Sequence, residues 1–305
     1  MPVPTVDNLS HAILRTIAYS DIFEYPLTAR EIHRYLTGLT ASFEEVLRSL
    51  GEGEAWIRTG DYFTLPGRAG IISARTQREI HSRRLITRAL NYGRILGALP
   101  FVRMVGLTGS LAVMNSSKEA DFDYMLVAVS GRVWTARAFA LVFNRFVRVF
   151  GDTICPNLIV SEEALTWPRH DLYSARELCQ MVPITGMDVH QKLMKANQWA
   201  KEFLPNAWQT SEISRTSERS FRTIVELPLR GKLGDRFEQW EMERKIARFK
   251  RQAGFGEETV FNADVCQGNF DHHRKWTQNL FQLRIDSLDN DLPLSLDERL
   301  EVKQV

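Results

Sequence analysis

The sequence predicts an α/β protein with a small mixed sheet at its centre. Apolar residues recur at helical spacing through the first 70 residues and again over residues 171–206. Between these regions, two strand-like runs flank a polar turn over residues 101–129. The length of 305 residues is sufficient for more than one domain. We therefore predict three segments, which cover residues 1–70, 71–168 and 169–305, the last of them a helical module.

Composition and charge exclude several classes of protein. Hydrophobic residues make up 44% and charged residues 25%, which is typical of a folded chain and not of a disordered one. The net charge of +2 excludes a basic surface over the whole protein, so a site for nucleotides or nucleic acid must come from local clusters. Cys155, Cys179 and Cys266 lie too far apart in sequence for a zinc pair. With no signal peptide pattern and no apolar run of ~18 residues, we expect a cytoplasmic protein without a membrane partner.

The N-terminal segment shows three predicted helices followed by a hairpin. Two capping boxes, Thr28 with Glu31 and Ser42 with Glu45, start the second and third helices, because each pair satisfies the free amides of a helix start. Two short strand-like runs follow and are joined by a turn at Gly60. This order of elements resembles a winged helix-turn-helix domain.

The third predicted helix, residues 43–51, is poor in positive charge. It holds Glu44 and Glu45 beside a single basic residue, Arg48. A helix that reads DNA normally carries several Lys or Arg residues to meet phosphates. The charge therefore favours a packing or protein-binding role for this segment, and a nucleic acid partner stays an open alternative.

Residues 74–103 form the most basic stretch, with seven arginines and one acid, Glu79. Its apolar residues recur at helical spacing. Two interpretations stay open at this stage: a connecting helix with a solvated basic face, and a basic wall beside a phosphate-binding site. The arginines are Arg75, Arg78, Arg83, Arg84, Arg88, Arg94 and Arg103.

The residues that point to chemistry lie between the two predicted core strands. Gly109 allows a ligand to approach the backbone closely, and Ser110 lies at a predicted helix start, where free amides favour phosphate oxygens. Asp121 and Asp123 open the second strand and face the same side, because side chains two apart share a face. Two convergent carboxylates beside a phosphate cradle predict a site for Mg²⁺ or Mn²⁺.

At these residues the sequence resembles the nucleotidyltransferase superfamily typified by DNA polymerase beta. The motif of that superfamily is an apolar residue, Gly, then Gly or Ser, a spacer of about ten residues, and Asp-x-Asp or Asp-x-Glu in a strand. Here Gly109 and Ser110 precede Asp121-Phe122-Asp123 by ten residues. The resemblance covers residues 85–163, about a quarter of the chain. It implies that Asp121 and Asp123 bind the metal and that Gly109 and Ser110 hold the β- and γ-phosphates.

One position departs from the pattern of the superfamily, whose members usually carry a third carboxylate on a later strand. The residue best placed here is Asn157, which offers a carbonyl oxygen but no charge. Three alternatives stay open. Asn157 acts as a weak third ligand, one of the acids Asp152, Glu162 and Glu163 replaces it, or the domain binds a nucleotide without turning it over.

The resemblance implies transfer of a nucleoside monophosphate from a nucleoside triphosphate to an unidentified acceptor, with release of pyrophosphate. The alternative is a non-catalytic nucleotide-binding regulator whose N-terminal segment passes the signal to DNA or to a protein. A third alternative is a scaffold in which the two aspartates are vestigial. In the C-terminal module, Arg176 is assigned to a surface salt bridge in preference to a contact with the triphosphate.

Overall fold

The computed structural model describes residues 6–117, 121–208 and 226–289. Its N-terminal part contains three helices and a small antiparallel sheet of strand order β1-β3-β2. Both predicted capping boxes are present, at Thr28 with Glu31 and at Ser42 with Glu45. Only the two-residue strand β1, too short to leave a pattern, was not predicted. The elements are α1 (Val6–Asp21), β1 (Leu27–Thr28), α2 (Ala29–Arg34), α3 (Phe43–Glu52), β2 (Ile57–Thr59) and β3 (Tyr62–Thr64).

A long helix, α4 (Ile71–Ala98), leads from this part into a six-stranded sheet of order β7-β4-β5-β6-β9-β8. Strands β5 and β6 run parallel, and the other neighbouring pairs are antiparallel, so the sheet is mixed as predicted. The parallel pair is joined by the crossover helix α6 (Val133–Val147), since parallel strands cannot be joined by a tight turn. The strands are β4 (Val102–Leu107), β5 (Phe122–Ala128), β6 (Ile154–Ser161), β7 (Val182–Thr185), β8 (Thr259–Phe261) and β9 (Val265–Gly268).

The prediction of a purely helical C-terminal module was incomplete. Strand β7 and the hairpin of β8 and β9 come from this part of the chain and extend the central sheet at both edges. Each of these strands has only three or four residues, which is too short to show a period of two. The helices of this part are α7 (Leu172–Gln180), α8 (Met187–Ala196), α9 (Ala200–Phe203), α10 (Lys232–Phe249) and α11 (His273–Asp289).

Helices cover both faces of the sheet, and the alternation of side chains along β5 shows the two faces. Tyr124 and Leu126 are buried against α4 and α6. Met125 and Val127 are buried on the opposite face, in a cluster that contains Leu178 of α7. Because side chains alternate along a strand, Asp123 shares the face of Met125 and therefore points towards α7.

The last helix, α11, returns to the N-terminal part. Ile285 belongs to the buried cluster formed by the first three helices. The carboxylate of Asp21, at the end of α1, accepts hydrogen bonds from Arg68 at 2.7 Å and from Arg284 of α11 at 3.0 Å, and all three side chains are buried. Among the helices that the structure describes, none is both long and apolar enough to cross a membrane.

Candidate functional site

The turn after β4 brings Gly109 against Asp123. Gly109 begins the short helix α5 (Gly109–Ala112) and has a φ of +66°, a left-handed conformation that favours glycine. A Cβ atom at this position would collide with the Asp123 carboxylate. The amide of Thr108 also donates a hydrogen bond of 2.9 Å to the Asp123 carbonyl oxygen. The glycine turn and the second aspartate of the predicted motif are thus in direct contact.

Ser110 follows in α5 and is half-buried. Its carbonyl oxygen accepts a hydrogen bond of 2.8 Å from the Asn115 amide, which closes the start of the polar loop. Since α5 has only four residues, its dipole is small, and the contribution of Ser110 must come from its hydroxyl and the local amides. Residues 118–120 of the loop lie outside the described residues.

The two aspartates differ in their surroundings. Asp121 is exposed and lies one residue before β5, whereas Asp123 is half-buried within the strand. Burial and the negative charges of Glu177 and Asp121 together raise the pKa of Asp123 to about 7, against the lowering effect of a hydrogen bond with Cys155. Negative charge at this site therefore increases steeply around neutral pH, which favours a cationic ligand there.

The residue opposite Asp123 on β6 is Cys155, not Asn157. The register pairs Tyr124 with Pro156 and Met125 with Leu158. The residue between them on β6, Asn157, is therefore the extra residue of a bulge. The prediction that Asn157 completes the metal site stays a prediction. Pro156 is a sequence signal of this bulge, because a proline cannot donate to the hydrogen-bond ladder and within a central strand is found at bulges.

The three alternative acids considered for the third position are either bound by other side chains or lie far from Asp123 along the sheet. Asp152 accepts hydrogen bonds from Arg88 at 3.1 Å and from the Tyr92 hydroxyl at 2.9 Å. Glu162 and Glu163 follow the last residue of β6. The backbone amide of Glu162 donates a hydrogen bond to the carbonyl oxygen of Ala128, the last residue of β5. These two acids therefore lie at the end of the sheet opposite to Asp123.

The structure brings a different carboxylate towards the aspartates, that of Glu177 on α7. This helix packs on the sheet face to which Asp123 belongs, through Leu178 and its neighbours. Glu177 is half-buried, its charge acts directly on Asp123, and burial raises its own pKa to about 7. Sequence reasoning missed Glu177, because no spacing relates a residue of a helix to a strand so far away in the chain.

Arg176, the neighbour of Glu177, is only 2% exposed, so the predicted surface salt bridge is wrong. Its guanidinium carbon lies 4.8 Å from the ring centre of Tyr19 and 4.5 Å from that of Tyr35. Within the described part of the chain, its Nε and Nη2 atoms have no hydrogen-bond partner. Two tyrosines of the N-terminal part thus hold the helix that carries Glu177 by cation–π contacts.

The basic stretch, residues 74–103, is mostly neutralised by ion pairs. Five of its seven arginines contact a carboxylate, and Arg75 is also buried against the ring of Tyr25 at 3.7 Å. These contacts favour the connecting-helix interpretation over a basic wall beside the phosphates. The pairs are Arg75 with Glu31, Arg78 with Glu24, Arg83 with Glu79, Arg88 with Asp152 and Arg103 with Glu226.

A cleft of about 550 Å³ opens at the other end of the sheet. Three arginines line it, but Arg103 and Arg230 both contact Glu226, and Arg132 contacts Asp235. Glu162 also lines the cleft, so three carboxylates offset the three guanidinium charges and the cleft offers an anion little net attraction.

Over the described ranges, no group of three or more His, Cys, Asp or Glu side chains lies close enough together to hold a metal ion by itself. Magnesium in nucleotide sites usually takes one or two carboxylates and completes its shell with water and phosphate oxygens. The Asp121 and Asp123 pair fits this kind of site, in which the metal arrives with the triphosphate.

A scan against protein-family models, a search of curated proteins and a search of solved structures each found no match to this chain.

Proposed function

We propose that this protein is a metal-dependent nucleotidyltransferase, which transfers a nucleoside monophosphate from a nucleoside triphosphate to an acceptor and releases pyrophosphate. The observation that carries the proposal is the contact between Gly109 and Asp123. Gly109 has a left-handed conformation and no space for a Cβ atom, and it lies against the Asp123 carboxylate, whose pKa is about 7. Backbone amides at a helix start can donate hydrogen bonds to phosphate oxygens, and a neighbouring carboxylate can bind a cation.

In this proposal each residue has one role. Asp121 and Asp123 hold a magnesium ion, which when bound neutralises charge on the triphosphate and on the leaving pyrophosphate. Gly109 and Ser110 hold the β- and γ-phosphates through their backbone amides, and the Ser110 hydroxyl donates a hydrogen bond to one of the phosphate oxygens. Asn157 stays a predicted neutral oxygen ligand.

Glu177 is proposed as the general base. The acceptor oxygen attacks the α-phosphorus, the bond to the pyrophosphate oxygen breaks, and the acceptor proton moves to the Glu177 carboxylate. A general base is most effective when its pKa lies near the working pH, and the pKa of Glu177 is about 7. Its placement on α7, which packs on the sheet face to which Asp123 belongs, supports this role.

A regulator that binds a nucleotide without turnover is the second candidate. The observation in its favour is the contact of Arg176 with Tyr19 and Tyr35, which joins the helix of Glu177 to the N-terminal part. A change at the nucleotide site would alter this contact and could be passed on to a partner of that part.

The experiment that tests the proposal measures binding of the four nucleoside triphosphates to the full chain with Mg²⁺ or Mn²⁺, by calorimetry and thermal shift. We expect metal-dependent binding of at least one triphosphate and its loss in the double variant Asp121→Asn plus Asp123→Asn. Asp152→Asn is the matched control, because Asp152 lies near β5 but is bound by Arg88 and Tyr92.

Release of pyrophosphate then separates the two candidates. Transfer of label from an α-³²P triphosphate, lost in Glu177→Gln, supports the enzyme. Metal-dependent binding without pyrophosphate release supports the regulator. Absence of both metal-dependent binding and pyrophosphate release contradicts the proposed function.

A further inference from the structure

The end of α6 and the turn that follows it carry a group of exposed apolar side chains. Phe146 is 64% exposed, Val149 80% and Phe150 76%. Single apolar residues are common on protein surfaces, but neighbouring exposed phenylalanines at one helix end are unusual and indicate a binding surface.

The charged residues of the same segment are all positive. Arg145 precedes Phe146, Arg148 lies between Phe146 and Val149, both arginines are exposed, and residues 133–151 contain no Asp or Glu. Arg145, Phe146, Arg148, Val149 and Phe150 together form what we call the basic-aromatic surface. All five of these side chains are exposed to solvent.

This surface is joined to the candidate site by residues 151–153, which precede β6. The Thr153 carbonyl oxygen accepts a hydrogen bond of 2.8 Å from the amide of Phe122, which lies between the two aspartates. Asp152 is the one acid of this connection, and Arg88 and Tyr92 bind it. The negative charge of the connection is therefore compensated by Arg88.

We propose that the basic-aromatic surface binds single-stranded nucleic acid and presents it as the acceptor, a role that rests on the proposed function. Exposed rings stack on unpaired bases, and interleaved arginines meet the backbone phosphates. A second copy of the chain is a poorer occupant, because a symmetric contact would bring Arg145 and Arg148 close to the same residues of the other copy. Because α6 lies on the sheet face opposite to Asp123, a strand stacked on Phe146 and Phe150 reaches the site past the exposed Asp121, at the start of β5.

The test measures binding of a fluorescent single-stranded RNA of about 12 nucleotides to the full chain, without nucleotide or metal, by anisotropy. We expect Phe146→Ala plus Phe150→Ala to weaken binding about tenfold or more. We expect Arg145→Gln plus Arg148→Gln to reduce the slope of log affinity against log salt by about 1.4, since each phosphate contact contributes about 0.7.

The matched control is Leu233→Ala plus Trp240→Ala, which removes two exposed apolar side chains from α10, outside the surface. Unchanged binding in this control supports the proposal, and an equal loss overturns it. Absence of RNA binding, or binding to vesicles of phosphatidylcholine and phosphatidylglycerol in its place, also overturns it.

The readout is independent of catalysis, so its failure is distinct from failure of the proposed function. Loss of RNA binding in the Phe146 and Phe150 variant, together with pyrophosphate release that the RNA stimulates, supports both proposals. Specific RNA binding by a chain that releases no pyrophosphate supports the binding surface and contradicts its role as an acceptor site.

Discussion

Asp123 and Cys155 lie opposite each other on the parallel strands β5 and β6, and their side chains share a hydrogen bond. The thiol donates to the carboxylate. Burial and the negative charges of Asp123 and Asp121 together raise the pKa of Cys155 to about 12. Cys155 is therefore a chemical reporter of the charge on Asp123, next to the proposed metal site.

The first prediction uses this relationship. Asp123→Asn removes one of the charges that raise the pKa of Cys155, so a larger fraction of the thiol becomes the reactive thiolate. We expect alkylation of Cys155 by iodoacetamide at pH 8 to accelerate by about tenfold for each pKa unit recovered. Peptide mapping by mass spectrometry separates Cys155 from the buried Cys179 and Cys266. Equal rates in the wild type and the variant would show that the two side chains do not interact.

The second prediction concerns pH and stability. Asp123 and Glu177 keep their protons up to about pH 7 in the folded chain, whereas in the unfolded chain they lose them near pH 4. The folded state therefore binds more protons between these values, and the free energy of unfolding falls as the pH rises from about 4 to about 7.

Urea unfolding at pH 4.5 and pH 8 measures this effect. We expect Glu177→Gln to be more stable than the wild type at pH 8 by about 1–3 kcal/mol, because it removes the cost of a half-buried charge. At pH 4.5 the two proteins should differ little. A variant that is destabilised equally at both values would contradict the pKa shift.

The third prediction tests the glycine turn. Gly109→Ala places a Cβ atom against the Asp123 carboxylate and keeps a strained φ, so we expect a loss of about 1–3 kcal/mol in stability and the loss of triphosphate binding. Gly131→Ala is the matched control, since Gly131 has nearly the same φ of +68° but open space where the Cβ atom would lie. Chemical denaturation and calorimetry measure both properties, and retained triphosphate binding in Gly109→Ala would exclude this turn as the phosphate site.

The fourth prediction concerns the buried ion pairs of Asp21. Asp21→Ala takes away the carboxylate that both Arg68 and Arg284 contact, and we expect it to cost about 3–5 kcal/mol. Glu79→Ala, which removes the partner of the exposed Arg83, should cost about 0.5 kcal/mol or less. Urea denaturation followed by circular dichroism gives both values. Similar small losses in the two variants would mean that Arg68 and Arg284 find other partners.

Local chemistry explains what could be predicted from the sequence. The capping boxes at Thr28 and Ser42 were placed correctly because the pairing of a hydroxyl with a carboxylate three residues later depends only on helix geometry. The strands on either side of the turn at Gly109 were also predicted correctly, because each is an almost continuous apolar run.

Long-range packing explains which features could not be predicted from the sequence. Glu177 reaches the site because α7 lies on the face of β5, which no local pattern shows. Arg176 was assigned to the surface on its charge alone, whereas two tyrosines from the N-terminal part bury it. Asn157 was chosen from its position along β6, and a single bulged residue changes which residue lies opposite Asp123, so its role stays a prediction.

The packing of α11 against the first helices has a consequence for biosynthesis. Ile13 and Leu27 leave the ribosome long before Ile285, which belongs to the same buried cluster. Until α11 has been made, this cluster lacks Ile285 and Asp21 lacks its contact with Arg284. The N-terminal cluster can therefore be completed only after the strands of the central sheet have been synthesised.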